Sequence, residues 1–177
     1  MQSVMLDEIR DGATLLLDAA VAEVCEMILE QECIALAVCH DACAVSHSVC
    51  AAVHFSEGMQ GICIVHAGES ATLQMASVML GAECNTLEGI VLDALSEMTN
   101  MISGAWKSRL APAAAGCRMS VPVVNVATAA VDCGHKLPAG NAWKIDRCYG
   151  VGSANLHVTV HIQRDMALLA GNTVKLL

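Results

Sequence analysis

The chain has 177 residues, 55% apolar and 15% charged, which suffices for one domain with a sizeable core and excludes an intrinsically disordered chain. Eighteen acidic against nine basic residues give a formal charge of −9. There is thus no basic footprint for nucleic acid, and an anionic membrane face repels the chain. Phe55, Tyr149, Trp106 and Trp143 are the whole aromatic set, so base-stacking platforms are excluded too and the core must be Val, Ile, Leu, Met, Ala and Cys.

A first helix is predicted over Ala13–Glu30. Leu17, Ala20, Val21, Val24, Met27 and Ile28 recur on one face at helical spacing, with Glu23, Glu26 and Glu30 opposite. Strand-like runs follow at Cys33–Cys39, Val49–Ser56 and Gln60–His66, the last two forming a hairpin around Glu57-Gly58. A short helix over Ala71–Leu80 ends at Gly81, which suits a left-handed cap. The second long helix is predicted over Thr86–Leu110, with Asn85 and Glu88 as a capping box and Lys107 and Arg109 at the negative end of the dipole. Its buried stripe is Leu87, Ile90, Val91, Ala94, Leu95, Met98 and Ile102. Strands are expected again at Arg118–Val126, Trp143–Tyr149 and Asn155–Gln163, the last alternating between a buried face and a wetter one.

Two successive helix-then-strands blocks imply an α+β fold, with long helices packed on an antiparallel sheet. The blocks share a local word. Glu23-Val-Cys-Glu26-Met27-Ile28 aligns with Glu97-Met-Thr-Asn100-Met101-Ile102 at comparable places on the two long helices, a faint internal duplication.

No segment reaches the roughly 20 consecutive apolar residues of a spanning helix. The amino terminus carries acids where a signal peptide has basic and apolar runs, so the expected location is cytoplasmic, without membrane insertion. Ten cysteines occur without a Cys-x-x-Cys pair, and the default is reduced, buried thiols acting as small hydrophobes. The densest polar cluster, Cys39-His40-Asp41, Cys43, His47, Cys50 and His54, lacks zinc-ligand spacing and reads as a turn between apolar strands. No metal ligands are assigned.

On the second helix, Asp93, Glu97, Asn100, Gly104 and Lys107 recur at steps of three or four, in a row away from the apolar stripe. Glu97 and Asn100 bring a carboxylate and a carboxamide side by side, their Cβ atoms about 5–6 Å apart. Gly104, one turn on, costs the helix about 1 kcal/mol relative to Ala and leaves a notch for a partner's backbone or a phosphoryl group.

Glu97-Met-Thr-Asn100-Met-Ile-Ser-Gly104 resembles the Glu-x-x-Asn-x-x-x-Gly signature of the CheX/CheC/FliY chemotaxis phosphatases, most closely that of CheX-like domains. The resemblance covers about residues 12 to 163 of a single domain spanning 1–177, with 164–177 as a tail. Its parts keep family order: an opening helix, a strand pair ending near Phe55-Ser56-Glu57-Gly58-Met59-Gln60-Gly61, the segment Met75–Gly81, the signature helix, and Val121-Pro122-Val123-Val124. It implies a CheC-like α/β sandwich of two pseudo-symmetric halves, and hydrolysis of the aspartyl phosphate of a CheY-like receiver domain.

By the same resemblance, Asn100 would hold the attacking water in line with the phosphorus, Glu97 would dock on the receiver's active-site lysine, and Gly104 and Lys107 would face the partner. The chain would need no cofactor of its own, since Mg²⁺ sits on the receiver, and it would form a homodimer through sheet edges. The chemistry suits the side chains. A carboxamide accepts from water while donating to a phosphoryl oxygen, and adds no charge to an anionic site. Glu26 stands where a second site would need asparagine, so one active site is expected and the first motif is degenerate. After the glycine, relatives commonly show Asn-Ala-Lys, whereas this chain has Ala105-Trp106-Lys107. Trp106 either packs against the second half of the domain or reshapes the partner surface. Two further readings remain at this point: a receiver-binding scaffold with little turnover, and a metal- or redox-responsive protein using the Cys39–His54 cluster.

Overall fold

The computed structural model describes residues 2–37, 48–110, 114–127 and 142–163. Three helices, α1 (Gln2–Leu29), α2 (Glu69–Leu80) and α3 (Gly89–Arg109), lie with seven strands: β1 (Cys33–Leu36), β2 (Ser48–Ser56), β3 (Gly61–Gly68), β4 (Arg118–Met119), β5 (Val123–Ala127), β6 (Ala142–Val151) and β7 (Ala154–Gln163). The strands form one antiparallel sheet in the order β1-β6-β7-β3-β2, with β4 and β5 both on the outer edge of β2.

That order is a duplication. Each half is a long helix, an edge strand and a hairpin: α1, β1, β2–β3 and then α3, β5, β6–β7. Exchanging the halves (β1 with β5, β2 with β6, β3 with β7) reverses the strand order and reproduces the same sheet. The pseudo-two-fold axis therefore passes between β3 and β7, and the edge strand of each half pairs with the hairpin of the other. The shared word on α1 and α3 falls at equivalent places in this arrangement.

The helices cover one face of the sheet. α1 packs on β1 and β6, α3 on β2, β3 and β5, and α1 against α3. Alternate strand residues point into this layer: Val49, Ala51 and Phe55 of β2, Cys63, Val65 and Ala67 of β3, Ile145 and Tyr149 of β6, and Leu156, Val158, Val160 and Ile162 of β7. With period-2 alternation, the other face carries the intervening residues. That face is not the wetter one expected. Cys50, Ala52, Ile62 and Ile64 are buried there as a second apolar cluster, and His157 and Thr159 are buried as well.

Several boundaries move for local reasons. α1 begins at Gln2, well before Ala13. α3 begins at Gly89, and its N-cap is Glu88, which makes no side-chain cap. The capping box at Asn85 does not form, because Thr86 Oγ1 donates to Glu88 Oε1 at 2.9 Å and engages that carboxylate in the loop. The expected strand Arg118–Val126 is split at Ser120–Pro122, where Ser120 N–H instead donates to His54 O at 2.9 Å. Two stripe residues are misplaced: Met27 and Ile90 are 59% and 58% exposed, each at the margin of its apolar face. The Gly81 cap is as expected, with φ 62°.

The cysteines divide. Cys25, Cys63 and Cys117 are buried thiols and Cys33 and Cys84 half-buried ones, whereas Cys148 is disulfide-bonded, contrary to the uniformly reduced default. Cys39, His40, Asp41, Cys43 and His47 lie outside the described residues. Among the described residues no group of three His, Cys, Asp or Glu side chains is placed to hold a metal ion. No described helix is long and apolar enough to cross a membrane.

Candidate active site on the second long helix

α3 presents two faces. Val91 and Ala94 are buried against Ala76 of α2, and Leu95, Met98, Ile102 and Trp106 against the core shared with the sheet and α1, with Thr99 and Ser103 buried on the same side. Asp93 and Glu97 are exposed on the opposite side, and Asn100, Gly104 and Lys107 are half-buried along the same row. The 4-3-4-3 spacing of these five residues keeps them on one stripe of a 3.6-residue helix. Among the described residues, neither Glu97 nor Asn100 has a hydrogen-bond or ion-pair partner for its side chain. Both functional groups therefore remain available to a ligand while their backbone is fixed by the packed face beneath.

Trp106 is packed in the core, but against Phe55 and Ala13 of the first half and not against the second half as expected. It is fully buried, its ring centroid lies 5.8 Å from that of Phe55, and its indole N–H donates to Ala13 O of α1 at 3.0 Å. It lies on the buried side of α3, away from the Asp93–Lys107 row. Its satisfied donor explains how so large a group with a polar edge can sit in the core.

Lys107 is committed to the fold. Its Nζ donates to Cys117 O at 2.9 Å, which ties the last turns of α3 to the turn before β4. This turn closes with Cys117 N–H on Ala114 O at 3.0 Å. Gly58, at φ 82°, packs against it so closely that an added Cβ would lie 2.8 Å from Ala115 O. The β2–β3 hairpin tip, with Glu57 also left-handed at φ 55°, and the turn after α3 are thereby locked together. Arg118 and Glu57 pair at 3.0 Å on the exposed side of this lock.

The consequence for the row is a floor beside Gly104. The nearest atom to a Cβ added at Gly104 would be Met119 Cε, 4.0 Å away. The notch is open, and β4 forms its margin. Met119 and Arg118 were not among the site residues expected from sequence, since they are distant along the chain and no spacing signal links them to α3.

The equivalent place on α1 is occupied differently. Glu23, the counterpart of Glu97, forms an ion pair with Arg109 from the end of α3, while Glu26 is exposed. The first motif is thus spanned by a contact between the two long helices. It is not simply the solvated acidic face that the sequence suggests.

Residues 49–134 match the family model "Chemotaxis phosphatase CheX". No curated protein sequence matches the chain. Solved structures share the fold at low identity. CheX from Vibrio vulnificus is 20% identical with a TM-score of 0.66, over 83% of this chain and 93% of that one. CheX from Borrelia burgdorferi, crystallised in complex with CheY, BeF3 and Mg²⁺, is 14% identical with a TM-score of 0.67, over 84% and 96%. FliY from Thermotoga maritima is 16% identical with a TM-score of 0.59, over 88% and 87%. The matched segment contains all of α3 with its Glu97–Gly104 row, and the sheet around it has the CheC-like topology: over residues 49–134 the chain is similar to the chemotaxis phosphatase CheX family, and it shares the fold of CheX, CheC-like and FliY structures.

Proposed function

We propose that the chain is a phosphatase for a phosphorylated CheY-like receiver, with Asn100 positioning water and Glu97 docking the partner. The observation that carries this reading is the pairing of an unpartnered carboxylate and an unpartnered carboxamide on the solvent face of α3, inside the segment matched by the chemotaxis phosphatase model. A relative of the same fold in complex with CheY, BeF3 and Mg²⁺ supports the choice of a receiver as substrate.

The division of labour follows from charge. The acyl phosphate on the receiver's aspartate is anionic, so the residue beside the reacting phosphorus must be neutral. Asn100 accepts a hydrogen bond from the attacking water through its carbonyl and donates to a phosphoryl oxygen through its amide. Glu97, one turn towards the amino end, is suited instead to a cationic group on the receiver. Water oxygen bonds to phosphorus, the bond from phosphorus to the aspartyl oxygen breaks, and the water's protons leave with inorganic phosphate. The receiver's Mg²⁺ belongs to the substrate.

The test is the decay of a phosphorylated CheY-like receiver with and without the protein. Asn100→Ala is expected to reduce the accelerated turnover about 100-fold, the scale for removing one positioned polar group from a transition state. Binding and thermal stability should stay near those of the wild type. Glu97→Ala should instead weaken binding about tenfold, a loss of about 1.4 kcal/mol, with less effect at saturating receiver. Wild-type turnover in Asn100→Ala would remove the assignment. Receiver binding without any change in phosphate lifetime would replace the phosphatase by a scaffold that uses the same helix.

A further inference from the structure

The exposed row of α3 carries apolar side chains at both of its ends. Ile90 stands seven residues before Glu97, about two turns away on the same face of the helix, and its side chain is exposed. The internal duplication gives it a counterpart. The offset that places Glu23 on Glu97 and Glu26 on Asn100 places Leu16 on Ile90, and Leu16 is partly buried against the main core. Packing thus explains the apolar residue on α1 and not the one on α3. At the other end, Met119 of β4 is half-buried and borders the open notch at Gly104. From Ile90 to Gly104 the face runs about 21 Å at about 1.5 Å per residue. That length is comparable with the breadth of a specific protein contact, about 800 Å² per partner.

We infer that Ile90 and Met119 are the apolar anchors that seat a CheY-like receiver on α3, an inference that rests on the receiver reading of the same row. The polar groups between them give the seat a direction. Asp93 and Glu97 put two exposed carboxylates in the amino half of the row, whereas Asn100 and Gly104 put a neutral amide and an open notch in the carboxyl half. A receiver docked with a cationic side chain over the carboxylates and its phosphoryl group over Asn100 matches that polarity. Ile90 then meets the surface bordering the cation, and Met119 the surface bordering the phosphoryl group. Exposed ion pairs contribute little affinity, because water and salt screen them. Apolar side chains that lose their water on contact supply it. Anchors at the two ends of the row also fix where along the helix the receiver sits, and so hold the phosphorus at Asn100 and not one turn away.

The experiment titrates the full-length chain with a CheY-like receiver charged with BeF3 and Mg²⁺, and follows turnover of the same receiver as its aspartyl phosphate over a range of concentrations. Ile90→Gln and Met119→Gln keep a side chain of similar size and remove its apolar surface. Each is expected to raise Kd and KM together by about tenfold, with the loss in KM rather than in kcat, and Ile90→Leu should restore both constants. Leu15→Gln is the control, since Leu15 is 66% exposed on α1 and lies outside the row. It should leave Kd and KM as in the wild type. Unchanged constants in either anchor variant, the same rise in Leu15→Gln, or a loss confined to kcat would overturn the anchors while the phosphatase stands. Binding by the wild type without turnover would end the phosphatase reading, and weakening of that binding in both variants would still support the anchors. A wild type that neither binds nor dephosphorylates the receiver would overturn both.

Discussion

Gly104 separates stability from recognition at a single position. A methyl group there meets only Met119 Cε, at 4.0 Å, so Gly104→Ala removes the helix penalty of glycine without a clash in the free protein. The variant should be more stable by about 0.5–1 kcal/mol, read from denaturant melts. If the notch admits the receiver, it should also be slower in the phosphatase assay. A stabilised variant with unchanged turnover would show that the notch has no role in docking. Among the site residues, Glu97, Asn100 and Gly104 are legible in sequence because helical spacing puts them on one row. Lys107 shares the row, but its bond to Cys117 O depends on where the following turn folds back, which no local pattern specifies.

Between elements, α1 is fastened to β6 by a small polar lock. Arg147 donates from Nε and Nη2 to the two carboxylate oxygens of Asp18, at 3.0 and 2.8 Å, and Tyr149 O–H donates to Asp18 Oδ1 at 2.8 Å. The guanidinium and carboxylate are only partly exposed, 29% and 23%. Tyr149→Phe should cost about 1 kcal/mol, one net hydrogen bond, because Arg147 still holds the carboxylate. Asp18→Ala should cost more, about 2–3 kcal/mol, since it leaves Arg147 and the buried phenol without their acceptor. Equal losses in urea melts of the two variants would show that the phenol and the guanidinium do not share Asp18 as described. Helix α1 is legible through its apolar spacing. The pairing of Asp18 with residues more than a hundred positions away is not, because it arises only when the second half of the sheet closes on the first.

For the whole molecule, alkaline pH is the informative stress. Burial pushes the Cys63 thiol up to about 11, and Tyr149 is raised by burial and then by the Asp18 carboxylate. Unfolded thiols and phenols ionise near about 8.5 and 10. In the interval above those values the unfolded chain has released protons that the native state still holds, so stability falls as pH rises. This contribution is complete below about pH 8 and is lost through about pH 11. Melting temperature should fall over that window, and Cys63→Ala should flatten the decline between about pH 9 and 11. An unchanged slope in that variant would assign the alkaline loss to other groups.

By itself the sequence determined the helices, the strand runs, the acidic charge and the Glu97–Gly104 row, because each is written in spacings of two, three or four residues. Such periodicities survive without knowing what the chain packs against. The tertiary structure decided what those spacings cannot encode. Trp106 is buried because Phe55 and Ala13 O meet it from other elements. Glu23 is paired because the end of α3 reaches it, and His157 and Thr159 are buried although they alternate like a wet face. The duplication, faint as a six-residue word, is plain in the strand order, because hydrogen-bonded strand pairing preserves a symmetry that side chains can lose.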